Sequence, residues 1–289
     1  MEKRMGKHAY LIAAHSQFSL LQKLIDTIDH ERVDIYVHID KKVKVLPKLT
    51  TNKSKLKYVK RVKVNWGAYS QIKYELNLMK EALNTEAYDY VHIISGVDLP
   101  LRSQEEILRF FDENKGKEYV QILDKLSDEA IRKRISKYYL LQQFAGRDES
   151  NFTYRMVGRM QRILLKLQGL CKIDRSKGIE VKYGANWVSI TGDCAKYILS
   201  REKFIKKHFK YSLCADEVYK QTIIWNSKYK ENISEDEIRL IDWERGKPYT
   251  FKMEDYNELA GSKMLFARKF DENVDNDIIE KIWKGMKTL

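Results

Sequence analysis

No uncharged run in this sequence is long enough to cross a bilayer. The longest early one, Ala9 to Gln22, has 14 residues where a hydrocarbon core needs about 20, and it holds His15, Ser16 and Gln17. It lacks a small-residue cleavage pattern, so it does not read as a secretory leader. Cysteine is scarce: Cys171, Cys194 and Cys214 are odd in number and show no C-x-x-C spacing. That argues against a disulfide frame and a zinc site, and reduced, buried thiols in a cytoplasmic protein are expected. With 3 prolines in 289 residues, no serine-glycine tract and no repeat, the composition also argues against disorder and solenoid architectures.

What is abundant is charge. Charged residues make up 33% of the chain, above the roughly 25% of a typical soluble domain. Lys and Arg number 54 against 41 Asp and Glu, a net charge of +13. That surplus favours anionic partners: phosphates on a small substrate, nucleic acid or anionic lipid headgroups. Charge alone does not choose among them. The length suffices for one large α/β domain with a full core.

The first half alternates strand and helix patterns. His8 to Ala14 is a short apolar run, followed by Phe18, Leu21, Leu24, Ile25 and Ile28 at helical spacing. Val33 to Ile39 reads as the next strand and stops at Asp40. Lys57 to Val64 alternates basic residues with Tyr and Val, the pattern of a half-buried strand. Ser70 is placed to cap a helix bearing Ile72, Leu76, Met79 and Leu83. Tyr88 to Ser95 is apolar nearly throughout, as in a central strand covered on both faces, and ends at Gly96-Val97-Asp98-Leu99-Pro100. Ser103 and Glu106 then form a capping box. This alternation predicts an α/β fold with a mainly parallel central sheet and helices on both faces. Ligands bind such sheets beyond the carboxyl ends of the strands, where His15, Asp40, Ser95 and Asp98 fall.

From about 126 to about 175 the pattern is helical and basic. Met156, Met160, Ile163, Leu164 and Leu167 mark one face, and Arg155, Arg159, Arg162 and Lys166 run beside it. The periodicity predicts a helix packed on the core with a solvated basic edge. The same composition suits a helix lying on an anionic membrane. Tyr183 to Thr191 returns as a strand, Asp216-Glu217 open a helix, Arg239 to Trp243 is a late strand, and Leu265 to Asp271 precedes a final helix. The chain thus reads as a single domain over 1–289. It comprises a nucleotide-binding half over about 1–125, a basic helical insertion over about 126–175, and an acceptor and catalytic half over about 176–289.

Many nucleotide-sugar enzymes hold a divalent ion on the diphosphate through a D-x-D motif after an apolar strand. Here the matching place offers Asp98 alone. A formal D-x-D at Asp275-Asn276-Asp277 opens the last helix, where acidic residues are ordinary caps, and Glu235-Asp236-Glu237 sits in a polar turn. In diphosphate-transfer chemistry, cationic side chains would therefore have to stabilise the leaving group.

At this point the sequence resembles the core-2/I-branching β-1,6-N-acetylglucosaminyltransferases and the related peptide O-xylosyltransferases. The resemblance rests on AYLIAAH near the start, YVHID at Tyr36–Asp40, NWGAYS at Asn65–Ser70 and SGVDLPLRSQEEI at Ser95–Ile107. It continues through YGANWVSIT, the ADE of Ala215–Glu217, RLIDW at Arg239–Trp243 and LFARKFD. These segments occur in family order over nearly the whole chain; the basic stretch at about 126–175 matches least. The resemblance implies a GT-A-like (Rossmann-like) fold, a UDP-sugar donor, inversion at the anomeric carbon and no metal or other cofactor. By the same resemblance Glu217 is the catalytic base, and Lys269 contacts the diphosphate with help from Arg245 or Arg239. His15, Asp40, Ser95 and Asp98 fall where the nucleotide is held, and Trp66, Trp187 and Asp216 fall near the acceptor.

The expected reaction is transfer of a sugar onto a glycan hydroxyl, with UDP-GlcNAc as donor, a 6-OH as acceptor and a β linkage as product. UDP-xylose, UDP-glucose and UDP-galactose are alternative donors. The animal members of the family are membrane-anchored and disulfide-linked. A cytoplasmic bacterial version would act on intermediates of surface polysaccharide, such as a lipid-linked oligosaccharide, near the anionic inner membrane face. Two other classes compete: a nucleic-acid-binding protein, for which no reader motif is found, and a glycan-binding module without catalysis, against which the presence of both Glu217 and Lys269 argues.

Overall fold

The computed structural model describes residues 6–123, 128–145 and 151–287. The first half runs β1 (His8–Ala14), α1 (Phe18–Ile28), β2 (Val33–Ile39), β3 (Lys55–Tyr58), α2 (Tyr69–Thr85), β4 (Tyr90–Ser95), β5 (Leu99–Pro100) and α3 (Gln104–Glu113). The basic stretch forms α4 (Asp128–Ser136) and α5 (Phe152–Leu170). There follow β6 (Val188–Thr191), α6 (Gly192–Ser200), α7 (Glu202–Phe209) and α8 (Tyr219–Trp225). The chain closes with β7 (Arg239–Ile241), α9 (Tyr256–Gly261), β8 (Phe266–Arg268) and α10 (Asn276–Lys287).

The central sheet has the order β3-β2-β1-β4-β6, its first four strands parallel and β6 antiparallel to β4. Strand side chains alternate between faces, so Tyr10 and Ile12 of β1 join one core with α1, α3 and α10. Ala9 and Leu11 join a second core with α2, α6 and α8. This is the mainly parallel, doubly covered sheet that the alternating pattern predicts. Because β6 follows the basic stretch yet pairs with β4, both halves of the chain build one sheet.

A second, three-stranded sheet has the order β5-β8-β7. Its register sets Leu99 opposite Ala267 and Ile241 opposite Arg268. That pairing carries Arg268 and Lys269 to the Asp98 turn at the end of β4.

Several local expectations hold. Ser103 and Glu106 form the capping box of α3, and Asp275 Oδ1 accepts the Asp277 and Ile278 amides as a cap of α10. His38 and His92 are satisfied core histidines. His38 Nε2 accepts the Val62 amide at 2.9 Å, and His92 bonds His8 and Ser189. Burial pushes His38 down to about 4, so it is neutral near pH 7.

Others do not. Ser70 does not cap α2: its hydroxyl instead accepts the Asn65 amide at 2.8 Å, and Ala68 occupies the cap with no side-chain bond. The alternating run at Lys57–Val64 yields a strand only as far as Tyr58, because acceptors near the end of β2 take its later amides. His38 takes that of Val62 and Asp40 Oδ1 that of Val64. Tyr183–Trp187 stays outside β6, since Gly184 there donates to the Glu217 carbonyl. Of the cysteines, Cys194 is buried and Cys214 half-buried, but Cys171 is exposed at the end of α5. The largest departure is α5 itself: Met156, Met160, Ile163 and Leu167 face solvent, and Gln161 and Gln168 are buried. Among the described residues no helix is long and apolar enough to cross a membrane.

Candidate active site

Four of the nucleotide-site candidates stand at or just past the carboxyl ends of β1, β2 and β4. His15 is exposed just past β1. Asp40 is buried past β2, its Oδ1 accepting the Lys42 amide at 2.9 Å. Ser95 ends β4, and its amide donates to Asp98 Oδ2 at 3.0 Å. Asp98 thus closes its own turn, and its other oxygen accepts Arg268 Nη1 at 2.7 Å. Burial pushes Asp98 above the ordinary aspartate range, against the pull of Arg268.

The cations divide sharply. Lys269 follows β8 in a segment whose Phe266 and Phe270 are buried, and its ammonium forms no ion pair among the described residues. Arg239, half-buried on β7, donates to Ser189 Oγ at 2.7 Å, and its Nε is buried without a partner. Burial pushes Arg239 down to about 10, opposed by the nearby Asp98 and Tyr10. Arg245 is held by three carboxylates: Asp242, Asp255 at 2.7 Å and Glu258 at 2.8 Å. Sequence reasoning missed Arg268. The only visible signal was its place beside Lys269 in LFARKFD. Its guanidinium bonds Asp98 and lies 4.9 Å from the centre of the Trp187 ring, joining a nucleotide candidate to an acceptor candidate.

Glu217 ends a 3₁₀ turn, Ala215–Glu217, entered through Cys214 in the left-handed region at φ 48°. Two glycines fit that turn closely. Gly67, at φ 67°, takes the Cys214 amide on its carbonyl at 2.9 Å. Gly184 donates to the Glu217 carbonyl at 3.0 Å, and a Cβ there would lie 1.8 Å from the Gln121 carbonyl oxygen. The Glu217 side chain is half-buried, and its Oε2 pairs with Arg134 Nη1 at 2.7 Å. Burial works most strongly against the charge on Arg134, but the bond to Glu217, the Glu217 charge and smaller contributions from Cys214 and Tyr183 together outweigh it and raise the guanidinium.

Beneath Glu217 the turn is anchored by buried charge. Asp216 Oδ2 accepts Gln71 Nε2 at 2.8 Å, and Gln71 Oε1 also takes the Gly67 amide. Lys220 and Glu75, both fully buried, pair at 2.6 Å, and Tyr219 donates to the same carboxylate oxygen. Lys220 also bonds Asn186 Oδ1 at 2.6 Å. Burial first, then the charges of Glu75 and Glu217, push Asp216 up to about 7.

The Tyr183–Trp187 segment links the two clusters. Gly184 donates to the Glu217 carbonyl at 3.0 Å, and the centre of the Trp187 ring lies 4.9 Å from the Arg268 guanidinium, while Tyr74 of α2 stacks on the buried His38 at 4.9 Å. The Glu217 turn and the Asp98–Arg268 pair are therefore parts of one site. Beside it opens a cavity of about 560 Å³ lined by Trp187, Trp225, Trp243 and Arg239. Trp225 and Trp243 were not singled out in the sequence. Trp66, 43% exposed, sits on the Gly67 loop, and its carbonyl accepts Gln142 Nε2 at 3.1 Å. Among the described residues no three His, Cys, Asp or Glu side chains gather as a metal-binding group.

The comparisons with known proteins agree with the motifs. A family model described as Core-2/I-Branching enzyme matches residues 8–264. Xylosyltransferase 2 of Rattus norvegicus is 22% identical over 318 residues, covering 94% of this chain and 33% of that protein. The Homo sapiens xylosyltransferase 2 is 22% identical over 316 residues, with the same coverage. A xylosyltransferase of Ciona intestinalis is 21% identical over 301 residues, again with 94% and 33% covered. The chain spans about a third of the length of these curated relatives. Its motifs lie in one site on a doubly covered, mainly parallel sheet, and the family model covers most of its length. The chain belongs to the core-2/I-branching enzyme family, a family of glycosyltransferases, and its fold is GT-A-like.

Proposed function

We propose that this chain is an inverting, metal-independent glycosyltransferase that moves GlcNAc from UDP-GlcNAc onto a glycan 6-OH in β linkage. The observation that carries the reading is the joining of a half-exposed carboxylate, Glu217, to a cationic corner at Arg268 through the Tyr183–Trp187 segment, whose Gly184 bonds the Glu217 carbonyl and whose Trp187 ring lies against Arg268. Glu217 removes the acceptor hydroxyl proton through Oε1, while Arg134 holds Oε2. The acceptor oxygen bonds to the anomeric carbon as the bond to the diphosphate oxygen breaks, and the electron pair leaves with UDP. Lys269 and Arg268, with Arg239 or Arg245, stabilise the charge that develops there. Asp98 is already committed to Arg268 and to its own turn, which supports a side-chain clamp on the diphosphate. His15, Asp40 and Ser95 hold the nucleotide, and Trp66 and Trp187 line the acceptor cleft.

A second reading keeps the chemistry and takes UDP-xylose as donor; it is supported by the names of the curated relatives. In either case the acceptor is an intermediate of bacterial surface polysaccharide carried on a lipid, met at the cytoplasmic face of the membrane.

The test is UDP release from a panel of UDP-sugars in EDTA, with and without simple glycan acceptors. Release with one donor names it and establishes metal independence. No release with any donor, together with no thermal shift by UDP, overturns the reading. Release only after a divalent ion is restored overturns the metal-independent part.

A further inference from the structure

α5 turns its apolar face outward. Its period places Phe152, Met156, Met160, Ile163, Leu167 and Leu170 along one stripe, with exposures from 45% at Met156 to 80% at Leu170. The helix meets the protein through a different face, on which Gln161 and Gln168 are buried. Gln161 Oε1 accepts the Leu141 amide at 2.9 Å. Gln168 Oε1 accepts the Tyr138 amide at 2.7 Å, and its Nε2 donates back to the Tyr138 carbonyl at 3.0 Å. These paired bonds fix the rotation of the helix and keep the stripe in solvent. A continuous exposed apolar row of this length marks an interaction surface.

Charge identifies the occupant. Arg155, Arg159, Arg162 and Lys166 form a second exposed row, about a quarter-turn round the helix from the stripe at 3.6 residues per turn. Residues 152–170 contain no Asp or Glu, and none of these four cations is ion-paired among the described residues. A second copy of α5 would bring the same uncompensated cations against the first. An anionic lipid surface supplies hydrocarbon for the stripe and opposite charge for the basic row. Phe144, 57% exposed in the turn that touches α5, adds apolar surface nearby.

We infer that α5 is the element by which this chain docks on an anionic lipid surface, lying in the headgroup plane with its six apolar side chains inserted. The inference deepens the reading above and rests on it for the lipid-borne acceptor.

The experiment is flotation of the full chain with phosphatidylcholine vesicles, with and without phosphatidylglycerol, at physiological salt. Two double variants, Ile163→Gln with Leu167→Gln and Arg159→Gln with Lys166→Gln, change only exposed positions outside the site. The chain is expected to float with anionic vesicles about tenfold better than with neutral ones, and each double variant to lose about tenfold. Both variants keep parental UDP release with a soluble acceptor. No flotation, or an apolar double variant that floats like the parent, overturns the inference. So does a dimer in light scattering that the apolar variant dissolves while flotation persists, which assigns the stripe to a second copy. Turnover without flotation sinks the docking alone; flotation without turnover on any donor sinks the glycosyltransferase reading alone.

Discussion

Arg134 Nη1 stands 2.7 Å from Glu217 Oε2, with its guanidinium 5.0 Å from the centre of the Tyr183 ring. The arginine comes from α4, in the stretch that least matches the family motifs, yet it grips the proposed base. A charge-assisted bond of this kind contributes about 1.5–3 kcal/mol. Arg134→Met should therefore lower kcat/KM for the acceptor by about tenfold or more, by that energy, while leaving UDP affinity unchanged. Calorimetry with UDP beside steady-state kinetics checks it. An equal loss of UDP affinity would move Arg134 to the donor side of the site.

Glu217→Gln preserves shape and removes the base. General-base catalysis contributes about 10²–10⁴-fold, so turnover should fall by that order while UDP still raises the melting temperature. Activity close to that of the parent would assign the proton to another group.

The diphosphate clamp separates the arginines. Lys269 has no carboxylate to satisfy it among the described residues, and Arg268 shares one, whereas Arg245 is surrounded by three. Lys269→Ala and Arg268→Ala should each weaken UDP binding by about tenfold or more, the worth of one charged hydrogen bond. Arg245→Ala should leave UDP binding within about threefold of the parent and instead lower stability slightly, as exposed ion pairs do. A large loss of UDP affinity in Arg245→Ala would show that substrate pulls the arginine from its carboxylates.

The main sheet was legible because β1, β2 and β4 are runs of 6 or 7 residues, nearly all buried, and such runs hardly occur elsewhere in the chain. The strand-end residues followed from that alone. β5 and β8, of 2 and 3 residues, are too short to show a period. Their pairing, and with it the meeting of Arg268 and Asp98, was therefore hidden. Periodicity reveals that α5 has an apolar face, but not which way it turns. Two glutamine side chains bonding backbone amides decide that, and nothing local marks them. The Arg134–Glu217 contact spans 83 residues between segments with no shared pattern.

Lys220 and Glu75 form a fully buried pair directly under the Glu217 turn. Removing one partner strands the other charge, which typically costs about 3–5 kcal/mol. Lys220→Met should lower the urea midpoint accordingly, while replacing both with Met and Leu should recover much of the loss. A single variant as stable as the parent would mean that Glu75 takes up a proton at little cost.

Asp216 makes stability depend on pH with a definite sign. Burial, Glu75 and Glu217 push it up to about 7, against about 3.9 in an unfolded chain. Between about pH 4 and 7 the native state then binds more protons than the unfolded state, so stability falls as pH rises through that window and levels off above it. Asp216→Asn removes this fall: the variant should match the parent near pH 4 and exceed it increasingly as pH rises to about 7. Other shifted groups cancel in the comparison. Glu118, also pushed up to about 7 by burial, adds a similar fall to both proteins. His8 and His38, pushed down by burial to about 3 and about 4, act oppositely, withdrawing stability as pH drops below about 6.5. Melting temperatures of both proteins across pH 4 to 8 isolate the Asp216 contribution. Parallel curves would show that Asp216 stays ionised through the whole range, held so by Gln71 and Lys220.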